Sequence, residues 1–146
     1  MTRFYDLDAA NAAVPELDGI VSVLADQRAE LVRLRDEVMA GSGGGEGATT
    51  TVAERRPGSG DEVQVDDLRL TRLRMQGLID QMAAGVARID ALGLTLRDIE
   101  HGLVDFPALV SGRQVWLCWR RGESVIGWWH DLDSGFSGRQ PLDELA

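Results

Sequence analysis

The sequence predicts an α+β protein, a long antiparallel helical hairpin followed by a small antiparallel β-meander packed on it. Three observations carry the prediction. Two long stretches repeat apolar residues at alternating three- and four-residue steps. A Gly-rich segment separates them. After Gly93 the apolar period shortens towards two, and Trp, Val and Ile become frequent. The 146 residues divide as one domain: 1–40 a helical arm, 41–61 a flexible Gly-rich linker, 62–93 a second long helix, and 94–146 a small sheet module with a C-terminal loop.

The helices are read from their ends inward. Asp6 suits the N-cap of a short helix through Asn11 and Ala13. Pro15 suits the first turn of a second, longer one, because its missing N–H has no helical partner there. From Leu17 the stripe runs Ile20, Leu24, Gln27, Leu31, Leu34, Val38, with Gln27 its polar interruption, and Ala40 and Gly41 end it. The next stripe is Val65, Leu68, Arg72, Met75, Ile79, Met82, Val86, Ile89. Leu70, Leu73 and Leu78 widen that face beyond a two-helix seam, so a third element is expected against it. Gln27 and Arg72 could set the register of the hairpin or sit at its solvated edge, and the edge is the favoured expectation. Gly77 and Gly85 each cost about 1 kcal/mol relative to Ala inside a helix, which suggests close packing there.

The sheet follows in short pieces. Leu94 to Ile99 reads as an extended stretch. Leu103 to Phe106 reads as another, stopped by Pro107. Ser111-Gly112 turns the chain. Gln114 to Arg120 and Val125 to His130 are strands joined by Arg121 to Ser124. Residues 134–138 form a loop, with Phe136 as its anchor.

Composition narrows the function. A formal net charge of −9 repels phosphate backbones and anionic membranes, so neither nucleic acid nor a membrane is an expected partner. The chain has 15 basic residues, all of them Arg, so Schiff-base chemistry and a Lys-dependent phosphate loop are excluded. One Cys, no apolar leader and no long apolar run lead to the expectation of a reduced, cytoplasmic protein.

Several blocks resemble one family. They are Phe4 to Asn11 with Pro15-Glu16-Leu17, Gly102 to Pro107, Leu117 to Arg120 with Gly122-Glu123, Trp129-His130-Asp131, Gly135-Phe136, Gly138-Arg139 and Pro141-Leu142. Together they resemble the uncharacterised bacterial family called domain of unknown function 2203, over the whole chain except the Gly-rich linker. The resemblance implies no activity. As known, the family pattern does not call for a His at position 101.

Most of the candidate chemistry lies within Gly102–Leu142, which holds every Trp and the one Cys. Cys118 and His130 form the sharpest pair. A three-residue connection, Arg121 to Glu123, would set Cys118 beside Ile126 and on one face with Trp116, Trp128 and His130. A two- or four-residue connection would turn His130 to the opposite face, with Leu117 and Trp119. Sharing a face, the pair could bind a divalent metal such as zinc or act as nucleophile and base; a buried free thiol and a hydrogen-bonded His are the plain alternative. Glu100, His101, Asp105, His130, Asp131 and Asp133 are a second ligand set; Cys118, His130, Asp131, Glu100 and His101 are the metal candidates. Asp105, ahead of Phe106-Pro107, could instead accept backbone hydrogen bonds in a turn.

Trp116, Trp119, Trp128 and Trp129 could line a pocket. Trp119, Arg120, Glu123, Trp129, His130 and Asp105 are the ligand-binding candidates. Trp128 and Trp129 are adjacent and must point to opposite faces on a regular strand, so at least one is either exposed or covered by something else, such as the Phe136 loop or a second chain. The leading expectation is a cytoplasmic binding or interaction module that uses the Trp-rich sheet face, with helices that pair with a second copy or a protein partner. The rival is a small metal- or thiol-dependent enzyme on Cys118, His130 and nearby carboxylates.

Overall fold

The computed structural model describes residues 3–43 and 60–144. Helix α1 spans Leu7–Gly43 and α2 spans Gly60–Ala91. The predicted linker therefore shrinks at both ends, and its residues 44–59 lie outside the described residues. Among the described residues no helix is long and apolar enough to cross a membrane.

Asp6 caps α1 as expected, its Oδ1 accepting the Ala9 N–H at 2.7 Å. The helix then runs through Pro15 without a break, so the two predicted helices are one. Ala10 and Val14 before the proline, and Leu17 and Val21 after it, all bury in the same core. Pro15 itself faces solvent. The shared burial outweighs the one backbone hydrogen bond that the ring removes.

The two helices run antiparallel, as cross-pairs at both ends show: Glu16 with Arg88 at 3.8 Å, and Glu30 with Arg74 at 3.1 Å. Gln27 is half-buried, not at a solvated edge, and its Nε2 donates to Gln81 Oε1 across the hairpin. Arg72 is exposed as expected. Gly85 permits a close approach, since a Cβ there would lie 2.8 Å from Leu24 Cδ2; Gly77 has open space around it. Among the described residues no third element covers this face: Leu70 and Leu73 remain exposed on α2, at 58% and 60%.

The sheet has five strands in sequence order, each antiparallel to its neighbour. They are β1 (Thr95–Asp98), β2 (Leu103–Val110), β3 (Arg113–Arg120), β4 (Trp128–His130) and β5 (Gln140–Pro141). Ser111 and Gly112 both take positive φ, 52° and 77°, and close the β2–β3 hairpin between Val110 and Arg113. That matches the right-handed twist of the flanking strands.

Two boundaries differ from expectation. Pro107 does not stop β2. Strand β1 pairs only with Leu103–Asp105, so the rest of that edge is free of a ladder. There the Pro107 carbonyl accepts the Tyr5 N–H at 2.8 Å, and the absent N–H of proline lies on the same edge, away from β3. Strand β4 is also shorter than the predicted Val125–His130. The Ile126 N–H donates instead to Asn11 Oδ1 at 2.7 Å, which ties this segment to α1. The connection thus extends from Arg121 to Gly127.

Alternation divides the strands cleanly. Val104, Phe106, Ala108, Val115, Leu117, Trp119 and Trp129 turn inward and join Tyr5, Leu17 and Val21 in one core. Tyr5 meets Phe106 edge-on at 5.2 Å. The outer face carries Asp105, Trp116, Cys118, Trp128 and His130. It is covered partly by the C-terminal segment, which is not all loop but supplies β5 and short 3₁₀ turns at Phe136–Gly138 and Leu142–Glu144.

Candidate functional site

Strand register builds the site. Asp105 on β2 lies opposite Cys118 on β3, and Thr95 on β1 lies opposite Asp105. On the other side, β4 sets Trp128 against Cys118 and His130 against Trp116. Cys118 and His130 therefore share the outer face. Of the two alternatives left open by the sequence, the one that put both residues on one face set Ile126 against Cys118. The real one is displaced by two residues along β4, and an even displacement preserves the face.

Asp105, Cys118 and His130 are each 2% exposed, although this face is not the apolar core. One oxygen of Asp105, Oδ2, accepts Arg97 Nε–H at 2.8 Å and lies 3.0 Å from His130 Nε2. The other ring nitrogen of His130, Nδ1, lies 2.8 Å from the Asp131 carbonyl oxygen, so Nδ1 carries a proton. Two states of His130 satisfy this geometry: an imidazolium paired with Asp105, or a neutral ring whose Nε2 lone pair meets a Lewis acid. Ligand atoms of Asp105, Cys118 and His130 all lie within 4.8 Å of one another.

Burial, and then the Asp105 carboxylate, push the Cys118 thiol up to about 11. A free thiol so placed is a poor nucleophile at neutral pH. His130 directs Nε2 at Asp105 and Nδ1 at a carbonyl, so its ring is not aimed at the sulfur, and the carboxylate that does meet the thiol, Asp105, holds it in its protonated form.

Above the cluster is a cleft of about 250 Å³, lined by Arg97, Asp105 and His130 and walled by Leu103 and residues 132–136. Arg97 is held twice, through Nε on Asp105 and with its guanidinium 5.2 Å from the Trp116 ring centroid.

The other predicted residues have separate structural contacts. Trp119 and Trp129 face the helices, at 0% and 6% exposure, so neither lines an outer surface; the pleat turns odd-numbered residues of β3 and β4 inward. Trp119 Nε1 donates to the Glu123 carbonyl. Arg120 is exposed, and its N–H donates to Glu123 Oε1. The Glu123 carboxylate holds Arg139 at 3.0 Å, whose guanidinium lies 4.7 Å from both the Trp128 and Phe136 rings. That stack covers Trp128, the one of the two adjacent tryptophans that turns away from the core. Of the predicted ligands, Asp131 pairs with Arg113, Glu100 with Arg28 and His101 with Asp98, all partly exposed. The His101 contact, through ring and backbone, holds the Asp98 carboxyl below its usual range. These side chains do not converge on Cys118 and His130; Asp105 does, from mid-strand and not from a turn.

Sequence reading missed Arg97. The signal was available: with Leu94 and Leu96 inward, alternation sends Thr95 and Arg97 to the outer face.

The sequence matches the family described as Uncharacterized conserved protein (DUF2203) over residues 3–142. The chain belongs to this family. The match takes in both helices and all five strands, including every residue of the buried cluster. No curated protein and no solved structure matches the chain.

Proposed function

We propose that this chain is a cytoplasmic binding module whose ligand is a divalent transition metal, zinc foremost, held by Asp105 Oδ2, Cys118 Sγ and His130 Nε2. The observation that carries the reading is the convergence of these three unlike donors in a buried spot that opens on a cleft. A carboxylate, a thiolate and an imidazole suit zinc, and three protein donors leave a position for a further ligand. The Nδ1 contact of His130 with the Asp131 carbonyl is what a metal-bound His needs, since it keeps the Nε2 pair available. A metal would also displace the proton from the otherwise inert Cys118 thiol.

Cobalt tests this directly. The metal-free protein should take up one equivalent of Co²⁺ and develop a thiolate-to-metal charge-transfer band. The chain has one Cys, so that band can come from Cys118 alone. Uptake without the band, or no stoichiometric uptake, would overturn the proposal.

A second reading concerns a partner. Val65, Leu70 and Leu73 are all more than half exposed on α2. This apolar surface supports pairing with a second copy through a four-helix arrangement. Sedimentation should then show a dimer that Leu70→Glu/Leu73→Glu converts to monomer; a monomeric wild type removes this reading.

A further inference from the structure

We propose that the cleft above Asp105 and His130 binds a small carboxylate, gripped by Arg97. The inference deepens the metal reading by naming the class of the additional ligand, but the Arg97 contact does not require the ion.

Arg97 is the centre of the argument. Its Nε–H is fixed on Asp105 and its plane is fixed near Trp116, whereas its two Nη groups have no hydrogen-bond partner among the described residues. The guanidinium is half-exposed and lines the cleft. An arginine so anchored loses little freedom when it takes a ligand, and its free edge matches the two oxygens of a carboxylate. A guanidinium needed only to neutralise Asp105 would gain more from a two-pronged grip, Nε–H on one carboxylate oxygen and one Nη–H on the other.

Charge narrows the ligand. Arg97 is the one arginine on the lining, its Nε–H is already taken by Asp105, and an incoming anion meets its free Nη edge; the second lining carboxylate, Asp133, disfavours more than a single negative charge on that anion.

Size and walls set the ligand further. The volume, about 250 Å³, is below the range of about 300–1,000 Å³ for drug-sized sites, so the ligand is small. Leu103, Leu132 and Phe136 offer apolar wall. Asp133, also on the lining, repels a second negative charge and accepts a hydrogen bond. A monoanion with a donor group fits this, and a phosphate dianion fits less well.

Calorimetric titration of the metal-free and cobalt-loaded protein with glycolate, inorganic phosphate and methylammonium tests the proposal. Glycolate should bind with one-to-one stoichiometry, more tightly than phosphate, and methylammonium should not bind. Arg97→Ala should weaken glycolate at least tenfold with unchanged circular dichroism. Arg97→Gln, which keeps a donor for Asp105, replaces it if the alanine variant does not fold. No glycolate binding, equal binding by the Arg97 variant, or phosphate binding more tightly would each overturn the carboxylate assignment. The cobalt band is read separately, so loss of the metal reading and loss of the carboxylate reading are distinct results.

Discussion

Trp119→Ala should remove a large share of the stability of the fold. Trp119 is fully buried on β3, which lies between β2 and β4 at the middle of the sheet. It pairs with Val104 across the β2 ladder, on the face that packs against the helices, and its indole N–H donates to the Glu123 carbonyl. Truncation deletes the ring, leaves a cavity and orphans that carbonyl. Losses of this kind run to about 3–5 kcal/mol, against a total of about 5–15 kcal/mol for a typical domain. Urea unfolding should show a large fall in midpoint at a similar slope. Trp128→Ala supplies the contrast. Trp128 lies on the other face, half-buried beneath Arg139, and should cost much less. If the two variants were equally damaged, the outer face would be a second core rather than a binding surface.

The difference between those tryptophans shows how far the sequence could be read. Alternation at Trp128-Trp129 required opposite faces, and the structure obeys. Which ring faces inward depends on register, and register depended on a connection whose length was misjudged. Val125 to Gly127 has strand-like composition but gives its hydrogen bonds to α1 and to the C-terminal segment. That competition is long-range and leaves no local signature. Pro15 and Pro107 teach the same lesson in the other direction. Both are local breakers, and both are tolerated because the burial on either side, or an unpaired edge, makes the lost N–H cheap. The helical hairpin was legible because its period repeats over many turns. Cys118 and His130 were legible as chemistry. Their partner was harder to choose, because Asp105 competes in sequence with Asp131, Glu100 and His101, and only strand pairing separates a carboxylate opposite Cys118 from carboxylates that point to surface arginines.

Asp105 also gives the sharpest test of why the cluster exists. Asp105→Leu should cost on the order of 3 kcal/mol, because it leaves His130 buried with no acceptor at Nε2, while half-exposed Arg97 can turn into water. His130→Leu should likewise strand the Asp105 carboxylate, with only Arg97 to balance it. The double variant Asp105→Leu/His130→Leu removes both groups from a site that is 3% exposed at each side chain, and replaces them with apolar atoms of similar bulk. Its stability should return to within about 1 kcal/mol of wild type, since replacing both partners of a buried polar pair is often near neutral. Chemical denaturation of the four proteins gives the coupling directly. Recovery of stability together with loss of the cobalt band and of glycolate binding would mean that folding does not need this pair and that ligand binding does. Additive losses would mean the reverse: Asp105 and His130 would be a structural clasp between β2 and β4, and the site would have to be sought elsewhere on the chain.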